Sequence, residues 1–305
     1  MTDKVCSVSE LRPTRKAFLG YVAGIAAGVA YGLNPLFGVP LLTQFGLEVT
    51  TVLFYRYFIA ALCLGVWMVF RHLSFKVTWR QGWRLLCLGA FYTASSLTLF
   101  LSYHYIPSGI ATTLVFLYPV IVALIMVFLK VYPTWQVWLA IVLTFVGVVF
   151  LCQQTGDAHY HPLGLLLAFL SAVSYSFFIV VINRSKTIRG IPSSVLTFYA
   201  LVVGALFFFG YAAMTYPVVI PPRAAWGDLF GLAICPTLVS TAALACATRL
   251  IGATKASVLG VFEPVTAIAV GVVCMGEPFH RYIVVGLCLT MGAIIFMTLS
   301  EHRHA

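Results

Sequence analysis

Two charged residues, Glu263 and Arg56, lie inside long apolar segments of the sequence. In helical geometry Glu263 lies about 12 Å, and Arg56 about 9 Å, from the nearer end of its segment. Such a carboxyl group can take up a proton or bind a cationic group. A guanidinium can pair with that carboxylate, or hold a bound carboxylate through two parallel hydrogen bonds. The structural alternatives are a neutral, hydrogen-bonded Glu263 and an Arg56 side chain that extends to the polar end of its segment.

Polar and aromatic residues also occur in the middle of other apolar segments. The predicted cavity lining consists of Tyr31, Asn34, Tyr92, Ser95, Ser96, Tyr118, Ser171, Tyr175, Tyr199, Thr237, Ser240 and Thr241. Hydroxyl groups in such segments also bond to neighbouring helices, so about half of the set is expected to be structural. The acidic residues form no HExxH, DxxD or nucleophile–base arrangement, and there is no metal-ligand cluster or Walker motif. We therefore predict no enzyme activity, no cofactor, no metal and no ATP drive.

Prolines and glycines mark the helices that must position these residues. Kinks are predicted at Asn34-Pro35, Tyr118-Pro119, Cys235-Pro236 and Glu263-Pro264, because proline lacks an N–H and breaks the helical hydrogen-bond ladder. Pro119, Pro236 and Pro264 are accordingly candidate hinges. A ladder of small residues, Gly20, Gly24, Gly28 and Gly32, predicts a bare helix face that a neighbouring helix can approach closely.

The amino-acid composition indicates that this chain is surrounded by lipid rather than by water. Hydrophobic residues make up 62% and charged residues only 9% of its 305 residues, whereas an ordinary soluble domain is about 25% charged. An apolar helix of about 20 residues crosses a bilayer, and the predicted spans are 17–38, 50–70, 84–103, 107–129, 134–152, 162–183, 193–214, 227–248, 253–274 and 281–299. The predicted fold is an all-α integral membrane protein of ten transmembrane helices, with the lipid bilayer as its partner.

The placement of Lys and Arg predicts the orientation. Of the 18 basic residues, 15 fall in the tails and loops on one side of the predicted spans, and only Arg223 and Arg281 fall on the other. Because basic short loops stay in the cytoplasm, both termini are predicted to be cytoplasmic, in the cell (inner) membrane. This placement also explains the net charge of +10 without a nucleic-acid partner.

The second half of the chain repeats the first. A shift of 145 residues aligns 105–151 with 250–296, and this alignment places Pro119 on Pro264 and Gly147 on Gly292. Tyr118 then matches Glu263, and at nearly the same shift Tyr31 matches Tyr175.

Each half contains an odd number of helices, so the two halves enter the membrane from opposite faces. The predicted halves are 17–152 and 162–299. Inverted repeats are a recurrent architecture of secondary transporters, because two inverted halves can exchange outward-open and inward-open shapes about a central site.

Several short motifs resemble the EamA family of the drug/metabolite transporter superfamily. The second half carries Ala256-Ser257-Val258, Phe262-Glu263-Pro264-Val265 and Gly276-Glu277. The first half carries Ala111-Thr112-Thr113, Leu117-Tyr118-Pro119-Val120 and a closing Gly147. The first half departs from the family pattern at Val131-Tyr132, where a Gly-Glu pair is usual, so no acidic role transfers there. The resemblance implies ten helices in two inverted halves and the transport of metabolites, often outward.

These observations together predict a secondary transporter that exports small metabolites such as amino acids by alternating access, with proton coupling through Glu263. An importer of similar solutes and a membrane scaffold or receptor without transport are the alternatives. The partner is a small solute, no ATPase partner is implied, and the sequence leaves a monomer and a homodimer equally open.

Overall fold

A computed structural model describes residues 13–130, 135–151, 160–189, 191–214, 219–251, 256, 259–277 and 279–301. Within these ranges the chain is helical, with no strand. The first half contains α1 (Pro13–Gly32), α2 (Asn34–Thr43), α3 (Val49–Phe70), α4 (Trp79–Ser102), α5 (Ser108–Val115), α6 (Tyr118–Phe128) and α7 (Trp135–Leu151). The second half contains α8 (Pro162–Arg184), α9 (Lys186–Arg189), α10 (Ser193–Met214), α11 (Trp226–Ala233), α12 (Ser240–Ile251), α13 (Phe262–Met275) and α14 (Arg281–Glu301).

Seven of the described helical spans are long and apolar enough to cross a membrane. Lys16–Thr43 and Ser108–Phe128 each join two consecutive α-helices, and Arg223–Thr248 joins two α-helices through a π-helical turn. Three further apolar helices are shorter: Trp138–Phe150, Phe262–Met275 and Arg281–Phe296. The sequence therefore predicted the all-helical class and the apolar segments correctly. Residues 134, 152, 253–255, 257 and 258 of the predicted spans lie outside the described residues.

Two predicted helix limits differ from the structure by five residues each. The first predicted span ends at residue 38, but α2 continues through Pro40 to Thr43. The fourth helical element begins at Trp79 rather than at residue 84, because Thr78 caps it. The Thr78 hydroxyl accepts a hydrogen bond from the Gln81 backbone while the Gln81 side chain bonds back to the Thr78 N–H, a reciprocal arrangement that satisfies two otherwise free donors.

The exterior of the helix bundle is apolar. Phe70, Phe128 and Met214 are 78%, 87% and 88% exposed, and many other large apolar side chains point outward from α3, α7 and α10. A soluble monomer rarely exposes apolar area on this scale, whereas acyl chains solvate it. The chain is thus a multi-pass membrane protein.

Helix packing follows a two-fold pattern. In chain order the repeat pairs α1–α2 with α8, α3 with α10, α4 with α11–α12, α5–α6 with α13, and α7 with α14. Contacts in one half have an equivalent in the other. The packing of α1 on α12 corresponds to the packing of α8 on α4, and the packing of α1–α2 on α13 corresponds to that of α8 on α5–α6. Three further contacts, α3–α10, α5–α13 and α7–α14, join each element to its counterpart.

The two ends of the bundle differ. At the end that carries Arg71, Lys76, Arg80, Arg84 and Lys130, hereafter the basic end, Arg84 donates to the hydroxyls of Ser185 and Thr187 at 2.7 and 2.6 Å. At the opposite end, which carries the turns 44–48 and 103–107 and the C-terminal end of α13, the largest cluster of buried apolar side chains is concentrated. The main apolar core of the described residues therefore lies toward the opposite end.

Candidate functional site

Helix breaks lie at all four predicted kink positions. The α1–α2 helix is interrupted at Leu33, so that Pro35 stands in the first turn of α2. Pro119 stands likewise in the first turn of α6, and Pro264 in the first turn of α13. Pro236 lies in a π-helical turn, Ile234–Val239, between α11 and α12. Each break follows from the missing proline N–H; whether these breaks act as hinges stays a prediction.

The glycine ladder of α1 packs directly against the break that precedes α13. A β-carbon built on Gly28 would lie 2.9 Å from the Leu259 carbonyl oxygen, and one on Gly32 would lie 2.5 Å from the Glu263 carbonyl oxygen. One built on Gly24 would collide with the Leu259 side chain. Only glycine allows α1 to approach the Glu263 backbone this closely.

Glu263 faces a group of tyrosines. Its side chain is half-buried and forms no salt bridge with any residue that the structure describes. It lies close enough to interact electrostatically with Tyr31, Tyr103, Tyr118 and Tyr175. These four tyrosines each keep part of their surface accessible.

Arg56 is 2% exposed and does not extend to the polar boundary. Its Nε donates to the Thr237 hydroxyl at 3.0 Å, and its guanidinium lies 5.5 Å from the Phe100 ring centre and 5.9 Å from the Tyr57 ring centre. Among the described carboxylates none is within salt-bridge distance, so the predicted direct pair with Glu263 is not formed in this structure. The two Nη groups of the Arg56 guanidinium have no hydrogen-bond partner in the part of the chain that is described.

A chain of aromatic contacts joins the surroundings of the two charges. The Tyr118 and Tyr175 rings meet edge to face at 4.9 Å, and Tyr175 stacks on Phe178 at 5.6 Å. Phe178 contacts Tyr92 at 5.3 Å, and Tyr92 contacts Tyr57 at 5.7 Å. The two halves of the repeat thus contribute to one aromatic surface between Glu263 and Arg56.

Two buried polar atoms at this centre lack a hydrogen-bond partner among the described residues. They are Asn34 Oδ1 and Thr93 Oγ1, in side chains that are each 1% exposed. The Asn34 amide nitrogen is used, donating to the Tyr31 carbonyl at 3.0 Å. An unpaired buried acceptor costs about 1–3 kcal/mol, so both atoms are suited to receive a hydrogen bond from a bound solute or water.

Other predicted lining residues bond within the bundle. Ser95 and Ser171 share a hydrogen bond at 3.0 Å that joins α4 to α8. The Ser240 hydroxyl donates to the Pro236 carbonyl at 2.6 Å, which satisfies a backbone group at the π-helical turn. The Thr237 hydroxyl bonds both to the backbone and to the site, since it donates to the Leu232 carbonyl at 3.1 Å and accepts from Arg56.

Sequence reasoning assigned no role to several polar residues near this site. Thr93, Tyr57 and Tyr103 look like ordinary helix positions, and no local signal distinguishes them. Glu277 was noted only as part of a family motif, yet its carboxylate caps α5. Its partner, Ser108, lies 169 residues away, a distance at which only the fold can bring two residues together.

The family's sequence profile matches residues 18–153 and again 162–299, in two copies that cover nearly the whole chain. The chain belongs to the EamA-like transporter family. This family is one of transporters, and the two matched copies agree with the two-fold packing of the helices.

One curated protein and one solved structure are similar to this chain. The chain is 25% identical over 203 residues to an uncharacterized transporter, YdfC, of Bacillus subtilis (strain 168), and the alignment spans 65% of each protein. It is also similar to a protein of known crystal structure with a TM-score of 0.68 at 17% identity, over 93% of this chain and 98% of the other. At that identity the likeness concerns the fold alone.

Proposed function

We propose that this transporter exports small metabolites such as amino acids by alternating access, as a secondary transporter of the cell (inner) membrane. Both termini, and hence the basic end, face the cytoplasm, in accordance with the distribution of Lys and Arg. The proposed architecture is ten spans in two inverted halves, 17–152 and 162–299.

The convergence of helix breaks on two embedded charges carries this proposal. The first turns of α2, α6 and α13 all begin at breaks. Half-helices of this kind present a partial positive charge at their N-termini, and carrier substrates bind at such breaks in several transporter folds. A charge embedded in a bilayer is costly, so it is retained where it meets a cavity or a ligand.

The side chains at this centre suit a zwitterion. The free amino groups of Arg56 can hold a carboxylate through two hydrogen bonds. Glu263 and the aromatic surface of Tyr118 and Tyr175 can bind an ammonium group by charge attraction and cation–π contact. Since the two charges do not neutralise each other in the structure, each is available for a group of the opposite charge.

Proton coupling follows from competition for one carboxylate. Glu263 binds a proton from outside, releases it to the cytoplasm, and then accepts the ammonium group of the exported solute. Because proton and ammonium group exclude each other at the same oxygens, each export event returns one proton, and a pH gradient drives the flux.

Counterflow in proteoliposomes tests this proposal, with a panel of radiolabelled amino acids and a pH gradient. We expect saturable flux that rises with the gradient, and a Glu263→Gln variant whose remaining exchange no longer responds to pH. Arg56→Lys should raise the KM for solutes with a carboxylate, because lysine cannot form the bidentate contact. Glu48→Gln is the matched control, since this carboxyl is exposed and outside the site.

Each alternative has its own outcome. No flux for any solute in the panel would favour the scaffold or receptor function. Flux that runs inward along the physiological gradient identifies an importer. Glu263→Gln with full transport and an unchanged pH response would refute the coupling role of this residue.

A further inference from the structure

Glu277 holds the first turn of α5 from the other half of the chain. Its Oε1 accepts hydrogen bonds from the Ser108 backbone N–H at 2.6 Å and from the Ser108 hydroxyl at 2.5 Å. Its Oε2 accepts from the Gly109 backbone N–H at 3.2 Å. Three donors of one helix terminus therefore meet one carboxylate, and negative charge is favoured at such a terminus.

The local backbone structure orients the Glu277 carboxylate toward α5. Gly276 ends α13 in the left-handed conformation, with φ of 65°, and the Glu277 N–H then bonds to the Gly271 carbonyl at 2.9 Å. A β-carbon on Gly271 would lie 2.1 Å from Glu277 Oε2, which is too close for the carboxylate to stay in place. Helix α5 also approaches α13 closely, since a β-carbon on Gly109 would lie 2.8 Å from the Ile268 Cα. Glycines on both helices keep the carboxylate in contact with its donors.

The contact lies at the opposite end of the bundle, where α5 is fully buried. Every residue of α5, Ser108–Val115, is buried, and the largest apolar cluster surrounds this helix. In contrast, its continuation α6 reaches the basic end with Phe128 87% exposed. Helices α5 and α13 are counterparts in the repeat, so their contact lies where the two halves meet.

The repeat provides no equivalent carboxylate at the other end. At a shift of 145 residues Glu277 corresponds to Tyr132, and Ser108 and Gly109 correspond to Ala253 and Thr254. These three positions lie outside the described residues, and their sequence alone carries the comparison. The first half of the sequence therefore has no carboxylate at the position that corresponds to Glu277.

We propose that Glu277 is a positioning residue that acts as the latch of the gate at the opposite end: its bonds to Ser108 and Gly109 hold α5 against α13 while that end is closed, and they break when it opens. This role rests on the alternating access proposed above. The carboxylate makes charge-assisted bonds, which are stronger than neutral ones, so its loss shifts the population toward the conformation that is open at this end.

Thr112 reports on this gate from one helical turn inside it. Its side chain is 1% exposed, and its hydroxyl donates to the Ser108 carbonyl at 2.9 Å. A Thr112→Cys thiol has nearly the same size and is reached by a charged, membrane-impermeant methanethiosulfonate only when the opposite end opens. The labelling rate is measured in right-side-out and inside-out vesicles, and the signal of native cysteines is subtracted with the protein that lacks Thr112→Cys.

We expect Glu277→Gln to raise the labelling rate of Thr112→Cys about tenfold or more, and only from the face at which the opposite end lies. Ser108→Ala removes one of the three donors and should give a smaller rise, with less risk to folding. Glu48→Gln, an exposed carboxyl at the same end, should leave the rate unchanged. If Glu277 merely capped α5, its replacement would not make Thr112→Cys accessible from one face only.

An unchanged rate in both Glu277→Gln and Ser108→Ala, or an equal rise from both faces, would overturn the latch. This result does not depend on the solute, because labelling needs no flux. A latch that fails while the wild-type protein shows amino-acid counterflow refutes this inference alone. A wild-type protein without counterflow refutes the proposed function instead.

Discussion

Replacing Gly28 by alanine tests the contact between α1 and the break before α13. The added methyl carbon would lie 2.9 Å from the Leu259 carbonyl oxygen and 3.3 Å from the Glu263 backbone nitrogen. Both neighbours are backbone atoms, so relief requires that the break itself shifts by several tenths of an ångström. Overpacking of this kind costs about 1–3 kcal/mol, of which the better helix propensity of alanine offsets about 1 kcal/mol. The expected net loss is up to about 2 kcal/mol.

Alanine substitutions at two further glycines should have smaller or opposite effects on stability. Gly24→Ala meets the end of the Leu259 side chain, which can rotate away, so we expect a smaller loss. Gly292→Ala has no atom within 4 Å of its new carbon and should gain up to about 1 kcal/mol from helix propensity alone.

Thermal unfolding of the purified protein in one detergent provides the assay. A change of 1 kcal/mol moves the Tm of chains of 150–250 residues by about 2–4 °C, so Gly28→Ala should melt up to about 8 °C below the wild type. The expected order of Tm is Gly28→Ala below Gly24→Ala, and Gly24→Ala below Gly292→Ala. A Gly28→Ala protein that melts as high as Gly292→Ala would refute the close approach of α1 to the break.

Three other changes separate structural from functional contacts. Ser171→Ala removes the hydrogen bond to Ser95 and should lower stability by about 1 kcal/mol with normal amino-acid counterflow; a large loss of counterflow without a loss of Tm would contradict this assignment. Gly147→Ala places a carbon 2.9 Å from the α14 backbone and should lower the Tm by separating α7 from α14, whereas an unchanged Tm would argue against that packing. Tyr118→Phe keeps the ring contact with Tyr175 and should leave the Tm unchanged. A lower rate of counterflow would indicate that the Tyr118 hydroxyl contacts the solute, and an unchanged rate would indicate that only the ring does.

Much of the framework could be read from local chemistry. Apolar segments and their length follow from composition, because a bilayer has no hydrogen-bond partners for a chain that is not helical. The breaks at Pro35, Pro119, Pro236 and Pro264 were predictable for the same reason, since proline removes its donor in any surroundings. Helix ends were less predictable: the start of α4 depends on the capping pair at Thr78, and α2 continues through Pro40.

The site was only partly predictable, because each of its contacts joins distant parts of the chain. Sequence reasoning selected Arg56 and Thr237 as separate candidates, and the fold joins them across 181 residues. Ser95 and Ser240 were selected by the same criterion, yet their hydroxyls bond within the bundle. A hydroxyl in an apolar segment has the same appearance in either case, and only its neighbours distinguish the two.

The sequence by itself determined that this chain lies in a membrane, that its second half repeats its first, and that Glu263 and Arg56 are embedded charges. These properties depend on residue type and order, and they hold for any packing of the helices. Tertiary structure alone decided that the two charges stay apart, that α1 reaches the Glu263 backbone through its glycines, and that Glu277 caps α5 from the other half of the chain. Each of these is a contact between residues far apart in the chain, and its distance is set by how the helices pack.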